Sequence, residues 1–168
     1  MEKISLIYSF NSNKTAKIAE KIKDAFGGDS IELINAETLT EDEFMKNRLA
    51  ILGVPTWFDG ELPNYWDEFG PTLEDLDLKD KVFALYGLGD QKGYPENFLD
   101  AVGIMVNLLE SRGATIVGYT STEGYSFLRS RAVKENKFVG LAIDFENQAT
   151  MNLQRVKSWV EQLKKELV

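Results

Sequence analysis

Five short apolar runs separated by helix-periodic segments constrain this chain more than any other feature. Ile4-Ser5-Leu6-Ile7-Tyr8, Ile31-Glu32-Leu33-Ile34, Leu49 to Val54, Lys81 to Tyr86 and Thr115 to Tyr119 each have the length and composition of a strand. Between them, Ile18, Ile22 and Phe26 recur four apart beside Ala19 and Ala25, and Gly27-Gly28 stops that helix. Thr40 to Lys46 predicts a short helix with Thr40 and Glu43 spaced as a capping box. Leu62 to Phe69 reads as helical behind Pro63. Phe98, Ala101, Val102, Met105, Leu108 and Leu109 form one helix face closed at Gly113, and Val156, Trp159, Val160, Leu163 and Leu167 form the last. Apolar strands alternating with helices predict an α/β fold, a doubly wound five-stranded parallel sheet with helices on both faces. The stretch from Thr120 to Asn147 breaks the rhythm. Its second apolar run, Phe138 to Ile143, predicts that strand five is split in two by a polar insertion at 120–137. With no repeat and no linker, residues 1–168 are expected to form a single domain.

Two absences in the 168 residues narrow the chemistry. There is no cysteine and no histidine. Disulfides, Cys/His metal sites, Ser-His-Asp triads, Cys nucleophiles and imidazole bases are therefore excluded, so demanding chemistry requires a borrowed cofactor. The formal charge is −8, from 27 acidic and 19 basic residues, which argues against nucleic acid and against an anionic membrane face as partners. A basic protein partner would be steered toward such a surface. Met1-Glu2-Lys3 leads into a short apolar run with no small-residue cleavage site, and no run approaches a membrane span, so a cytoplasmic location is expected. Eleven carboxylates and three lysines lie between Asp59 and Asp100, a balance of −8, while the remainder is neutral. Such a run is either a solvated face or a directed docking surface.

Ligands of this fold bind outside the carboxyl ends of the strands, where strand order reverses. The loops after strands one, three and four are therefore the informative ones. The first is Ser9-Phe10-Asn11-Ser12-Asn13-Lys14-Thr15, rich in small polar side chains and opening a helix. It is either an anion cradle or an ordinary N-cap by Ser12 or Asn13. It lacks the glycines of a nucleotide P-loop and of the dinucleotide fingerprint. A phospho-acceptor receiver site, which needs an acidic cluster at the ends of strands one and three, is also absent. The second loop carries Pro55-Thr56-Trp57-Phe58-Asp59-Gly60; its Trp-Phe pair either folds back on the core or faces a ligand. The third, Gly87-Leu88-Gly89-Asp90-Gln91-Lys92-Gly93-Tyr94, has three glycines and an aromatic of its own. A planar ring between the two aromatic loops, with its phosphate on the first, accounts for all three economically.

At these residues the chain resembles a flavodoxin of the long-chain type, over its whole length. The resemblance rests on Gly87-Leu88-Gly89-Asp90-Gln91 with Gly93-Tyr94 and Asn97-Phe98, on Pro55-Thr56-Trp57 with Gly60-Glu61-Leu62 and Trp66, and on Thr122 to Phe127. Lys137 to Leu141, Asp144 to Gln148 and Lys157-Ser158-Trp159-Val160 complete it. It implies strand order 2-1-3-4-5 and non-covalent FMN. Trp57 would cover one ring face and Tyr94 the other. Leu88, Gly89 and Asp90 would offer backbone groups to the ring's pyrimidine edge, Thr56 would lie near ribityl and phosphate, and Glu146 near ribityl. Ser9 to Thr15, Pro55 to Gly60 and Asn97 complete the expected site, which has no catalytic side chain and no metal. The family's phosphate loop reads T/S-x-T-G-x-T. Here Ser12 and Thr15 keep their hydroxyls, while Phe10, Asn13 and Lys14 depart. Lys14 either neutralises the phosphate or points to solvent.

The implied function is low-potential one-electron transfer between redox enzymes. Two aromatic faces and nearby acidic residues (Asp59, Glu61, Asp67, Glu68, Asp90) disfavour full reduction. A peptide rotation in Phe58-Asp59-Gly60 would serve the blue, neutral half-reduced flavin; Gly60 eases it, whereas Phe58 is expected to resist positive φ. Partners implied by the resemblance are basic redox proteins of the ferredoxin-NADP reductase or pyruvate oxidoreductase type, docking a monomer on the 59–100 face. Two other functions fit the same fold: a flavin-dependent NAD(P)H quinone or azo reductase, and a binding module with weakened or lost FMN affinity.

Overall fold

The computed structural model describes residues 2–167. Its centre is a parallel sheet in the order β2-β1-β3-β4-β5, built from Ile31–Asn35, Ile4–Tyr8, Leu49–Gly53, Val82–Leu88 and Thr115–Val117. Side chains alternate across it. Ile4, Leu6, Leu49, Ile51, Ala84 and Tyr86 pack on one face, against α1 (Asn13–Phe26) and α6 (Asn152–Glu166). Ile7, Ala50, Leu52, Phe83 and Leu85 pack on the other, against α2 (Glu41–Met45), α3 (Asn64–Glu74) and α4 (Asp100–Ser111). Covering both faces with helices explains why these strands read as nearly continuous apolar runs.

The fifth strand is divided as the sequence predicts. β4 pairs Val82, Phe83 and Ala84 with Thr115, Ile116 and Val117 of β5. Further along, the same edge pairs Tyr86, Gly87 and Leu88 with β9 (Leu141–Ile143). β4 thus runs two residues past Tyr86, carrying the sheet into the glycine-rich loop. The segment between the halves is more than a polar loop. β6 (Thr120–Ser121), β7 (Val133–Lys134) and β8 (Lys137–Phe138) form a small antiparallel sheet in the order β6-β8-β7. Phe138 therefore belongs to β8 rather than to the second half of strand five. Its ring meets Phe98, Tyr125 and Phe127 at centroid distances of 5.9, 5.0 and 5.5 Å, an aromatic core that seats the insertion on the turn leading into α4. The seat is close: a Cβ on Gly103 would lie 2.1 Å from the Arg131 carbonyl oxygen, so only glycine fits there.

Other departures are local. α3 continues to Glu74 through Pro71, five residues past the expected end at Phe69. A four-residue helix, α5 (Phe145–Gln148), follows β9; it is too short to carry periodicity, and Asp144 caps it by accepting from the Asn147 N–H. The Thr40–Glu43 capping box forms as expected. Among the described residues, no helix is long and apolar enough to cross a membrane.

Candidate functional site

The loops after β1, β3 and β4 converge at the carboxyl end of the sheet, where α5 joins them. The first is built on buried ground. Ser9 and Thr15 are buried, and the Tyr86 hydroxyl donates to the Thr15 carbonyl at 3.0 Å from beneath. Ser12 occupies the N-cap position of α1 but its side chain caps nothing. Its hydroxyl instead pairs with Thr15 Oγ1 at 2.9 Å, and the first turn holds no acidic residue. The N–H groups of Asn13, Lys14 and Thr15 have no acceptor among the described residues. Three adjacent N–H donors, two hydroxyls and the positive end of a 14-residue helix are the groups an anion cradle requires, and Ser12 makes no side-chain cap.

The second loop is a tight hairpin. Trp57 N–H donates to the Glu61 carbonyl at 2.8 Å and Glu61 N–H returns to Trp57 at 2.7 Å. Closing the chain over so few residues forces Phe58 to φ +48° and Gly60 to φ +98°. Phe58 adopts the positive φ that its side chain was expected to resist, because the two cross-hairpin bonds over-determine the turn. Trp57 leans edge-on against Tyr65, with centroids 5.9 Å apart, while Phe58 is 71% exposed. Burial pushes the Tyr65 phenol far above its ordinary pKa. Thr56 Oγ1 accepts from Ala101 N–H at 3.1 Å, so this loop caps α4, whose own N-cap Leu99 is left-handed and makes no cap. Asn97 Nδ2 donates to the Asp59 carbonyl at 3.0 Å, tying the second loop to the third.

The third loop hangs on two carboxylates. Asp144 is fully buried; it accepts from Gln91 N–H and Nε2 at 3.1 and 2.8 Å and from Asn147 N–H and Nδ2 at 3.0 and 2.9 Å. Asp90 accepts from Gly93 N–H, Lys92 N–H and Asn147 Nδ2 at 2.8, 3.1 and 2.8 Å. The Gly93 bond first, then Asn147, holds the Asp90 carboxyl below the usual carboxylate range. The Leu88 carbonyl accepts from Thr56 and Gly89 N–H donates to Ile143, while the Gly89 carbonyl and Asp90 N–H are without partners among the described residues.

Two adjoining cavities occupy the junction. One, about 340 Å³, is lined by Thr56, Trp57, Phe58, Gly89, Asp90, Tyr94, Asn97 and Phe98. The other, about 240 Å³, shares Thr56, Gly89, Asp90 and Tyr94 with it and reaches Ser12, Lys14, Thr15, Pro55, Leu88, Phe145 and Glu146. Of the residues expected from sequence, Ser12, Lys14, Thr15, Pro55, Thr56, Trp57, Phe58, Leu88, Gly89, Asp90, Tyr94, Asn97 and Glu146 are brought together here. Ser9, Phe10, Asn11, Asn13, Asp59 and Gly60 line neither cavity. Phe10 packs on Tyr8 with centroids 5.0 Å apart, and Asn11 Nδ2 donates to Glu37 at 2.6 Å. Phe145 and Phe98 are additions: both lie in sequence stretches that carry the resemblance, and Phe98, expected on the face of the fourth helix, stands two residues before α4 and lines the cavity instead. The Lys14 side chain is about half exposed, and its ammonium pairs with Glu146.

The acidic run is not one surface. α3 travels antiparallel to the strands, so Asp59, Glu61, Asp67, Glu68, Asp90 and Glu96 belong to the cavity end, whereas Glu74, Asp75, Asp77 and Asp80 sit at the opposite end, before β4. Asp100 is 7% exposed and accepts from Arg131 N–H at 2.8 Å. Arg129 and Arg131 bring two exposed guanidinium groups to the cavity end, 3.8 and 3.9 Å from Glu96 and Asp100.

Comparison with known proteins agrees with this architecture. The family model described as flavodoxin matches residues 6–159. A flavodoxin of Nostoc sp. is 42% identical over 98% of this chain and 97% of its own length. One from Trichodesmium erythraeum is 44% identical over 99% and 98%, and flavodoxin 1 of Escherichia coli 38% identical over 96% and 93%. Among solved structures, a Fusobacterium nucleatum flavodoxin bound to flavin mononucleotide superposes with a TM-score of 0.93 at 30% identity, covering 99% of both chains. With the strand order, the split fifth strand and the three convergent loops, these likenesses extend over essentially the whole chain, which belongs to the flavodoxin family.

Proposed function

We propose that this chain carries single electrons between redox proteins on non-covalently bound FMN. The observation that carries this reading is that the anion cradle of α1 and the aromatic pair Trp57 and Tyr94 line one continuous crevice. It lies at the switch between β1 and β3, a position for which flavodoxin itself is a type example.

The donor set fits the cofactor at each part. Ser12, Thr15 and the three N–H groups at the start of α1 would hold the phosphate. Trp57 and Tyr94 would flank the isoalloxazine, and the unpartnered Gly89 carbonyl and Asp90 N–H offer an acceptor and a donor for its polar edge. FMN, when bound, supplies reversible one-electron exchange; the chain has no cysteine or histidine to add to it. Its side chains instead set the surroundings. Trp57, Phe58 and Phe98 exclude water from one wall. Asp59, Glu61, Asp67, Glu68 and Asp90 place negative charge at the same end of the sheet and oppose further negative charge in the crevice. Asn97 steadies the Asp59 carbonyl of the strained hairpin. Asp90 serves the loop: its Oδ1 accepts from Lys92 N–H, Gly93 N–H and Asn147 Nδ2 and so fixes the turn that carries Tyr94.

The partner-facing surface we infer is the cavity end alone: Asp59, Glu61, Asp67, Glu68 and Glu96 around exposed Phe58 and Tyr94. A partner would present basic groups around an apolar centre, to a monomer in the cytoplasm. Purification tests the cofactor reading directly. The chain is expected to bind one FMN, to accept electrons in two well-separated steps under anaerobic titration, and to oxidise NADPH only when a reductase is added. Failure to bind FMN supports a module that has lost its cofactor; sustained NADPH oxidation by the chain alone supports a reductase. Either overturns the carrier reading.

A further inference from the structure

We propose that Lys14, by exchanging its pairing with Glu146 for a ligand phosphate in a releasable clasp, makes the crevice selective for a phosphorylated flavin over an unphosphorylated one, and that Glu146 tempers this preference. The proposal deepens the FMN reading and rests on it. Lys14 stands in the first turn of α1 and Glu146 in the first turn of α5, 132 positions away, and their side chains pair across a cavity that both line. The same cavity holds Ser12 and Thr15, so the ammonium is adjacent to the anion cradle. The Phe145 ring, 6.0 Å from the ammonium, gives its stem an apolar wall.

Three arguments make the pair a clasp rather than a fixed strut. Both side chains are about half exposed, 52% and 53%, so water screens their attraction and the pair is weak. A phosphomonoester above its second pKa of about 6 is doubly charged and presents three acceptor oxygens. A single carboxylate is the poorer partner, so Lys14 exchanges Glu146 for phosphate when one enters the cradle. Glu146 is then an unpaired anion beside a dianion and repels it. Lys14 therefore favours the phosphorylated ligand, and Glu146 opposes it while holding Lys14 in place. This gives Glu146 a sign opposite to that of a ribityl hydrogen-bond acceptor, whose loss would weaken every flavin.

The test titrates the flavin-free full-length chain with FMN and with riboflavin, following the quenching of flavin fluorescence. Lys14→Met is expected to weaken FMN about tenfold and to leave riboflavin unchanged. Glu146→Gln is expected to tighten FMN about threefold, again without effect on riboflavin. Lys14→Arg is expected to restore the discrimination. Thermal melts of each variant, matched to the parent, keep loss of fold out of the comparison. Equal losses for both flavins in Lys14→Met, or weakening of both in Glu146→Gln, overturn the clasp and leave the FMN reading standing. If the parent chain binds neither flavin, both fall together.

Discussion

The two ends of the crevice are made differently. At the α1 end the groups on offer are backbone N–H donors and short hydroxyls, fixed by a 14-residue helix on a buried strand. At the aromatic end, Trp57 and Tyr94 ride on a strained hairpin and a glycine-rich loop, both held by side-chain hydrogen bonds from elsewhere. A helix terminus needs nothing beyond its own fold to present donors. A loop that presents an aromatic must be held by other residues. The cradle is thus a property of secondary structure, the aromatic walls a property of tertiary contacts, and substitutions divide the two.

The largest expected effect is at the support of the aromatic end. Asp144→Ala leaves the buried Gln91 donors without their acceptor and removes the partner of the half-buried Asn147 N–H. It is expected to destabilise the chain by about 3 kcal/mol, a fall in Tm of roughly 6–12 °C at this size. Ser12→Ala removes a hydroxyl that caps nothing, and is expected to leave Tm within about 2 °C of the parent. Equal melting curves for the two variants would break the distinction between the ends. Next come the aromatics themselves. Removing a ring that stacks on a ligand costs about 1–3 kcal/mol, so Trp57→Ala and Tyr94→Ala are each expected to raise the FMN dissociation constant roughly 10- to 100-fold. Only Trp57→Ala should also lower Tm, because Trp57 packs on Tyr65 whereas Tyr94 is 51% exposed. A comparable fall in Tyr94→Ala would place that loop in the core and sharpen the comparison in the other direction.

Sequence reading located both ends but not their supports, for a physical reason. Strands of five to seven residues with helices on both faces leave an apolar signature, and glycines at a strand end mark the loop that follows. Supports are pairings between distant positions. Nothing in the sequence near Gln91 points to Asp144, and nothing near Lys14 points to Glu146. The two-residue strands of the insertion are too short to alternate, so Phe138 reads as part of the neighbouring apolar run. Phe58 reads as a poor candidate for positive φ because local preference is all that a sequence displays, and hairpin closure overrides it. The acidic run is continuous in sequence yet divides in space, because α3 carries the chain from one end of the sheet to the other.

The smallest effect lies in acid and concerns Asp90, which the α1 end has no counterpart for. Its carboxyl titrates below its ordinary value of 3.8, chiefly because the Gly93 N–H donates to the ionised form. A carboxylate with a depressed folded-state pKa adds stability above its unfolded pKa and loses it as pH falls through the folded one. The loop carrying Tyr94 should therefore loosen below about pH 4, while the N–H groups of α1 do not titrate. Asp90→Asn keeps an oxygen for Gly93 N–H but removes the charge, so the loop should no longer respond to acid in that window. The measurement is the Gly93 amide resonance followed through the acid range in the parent and in Asp90→Asn. A midpoint below 3.8 in the parent, absent from the variant, is the expected result. A parent resonance that does not move would mean that Tyr94 is held by Asp144 alone.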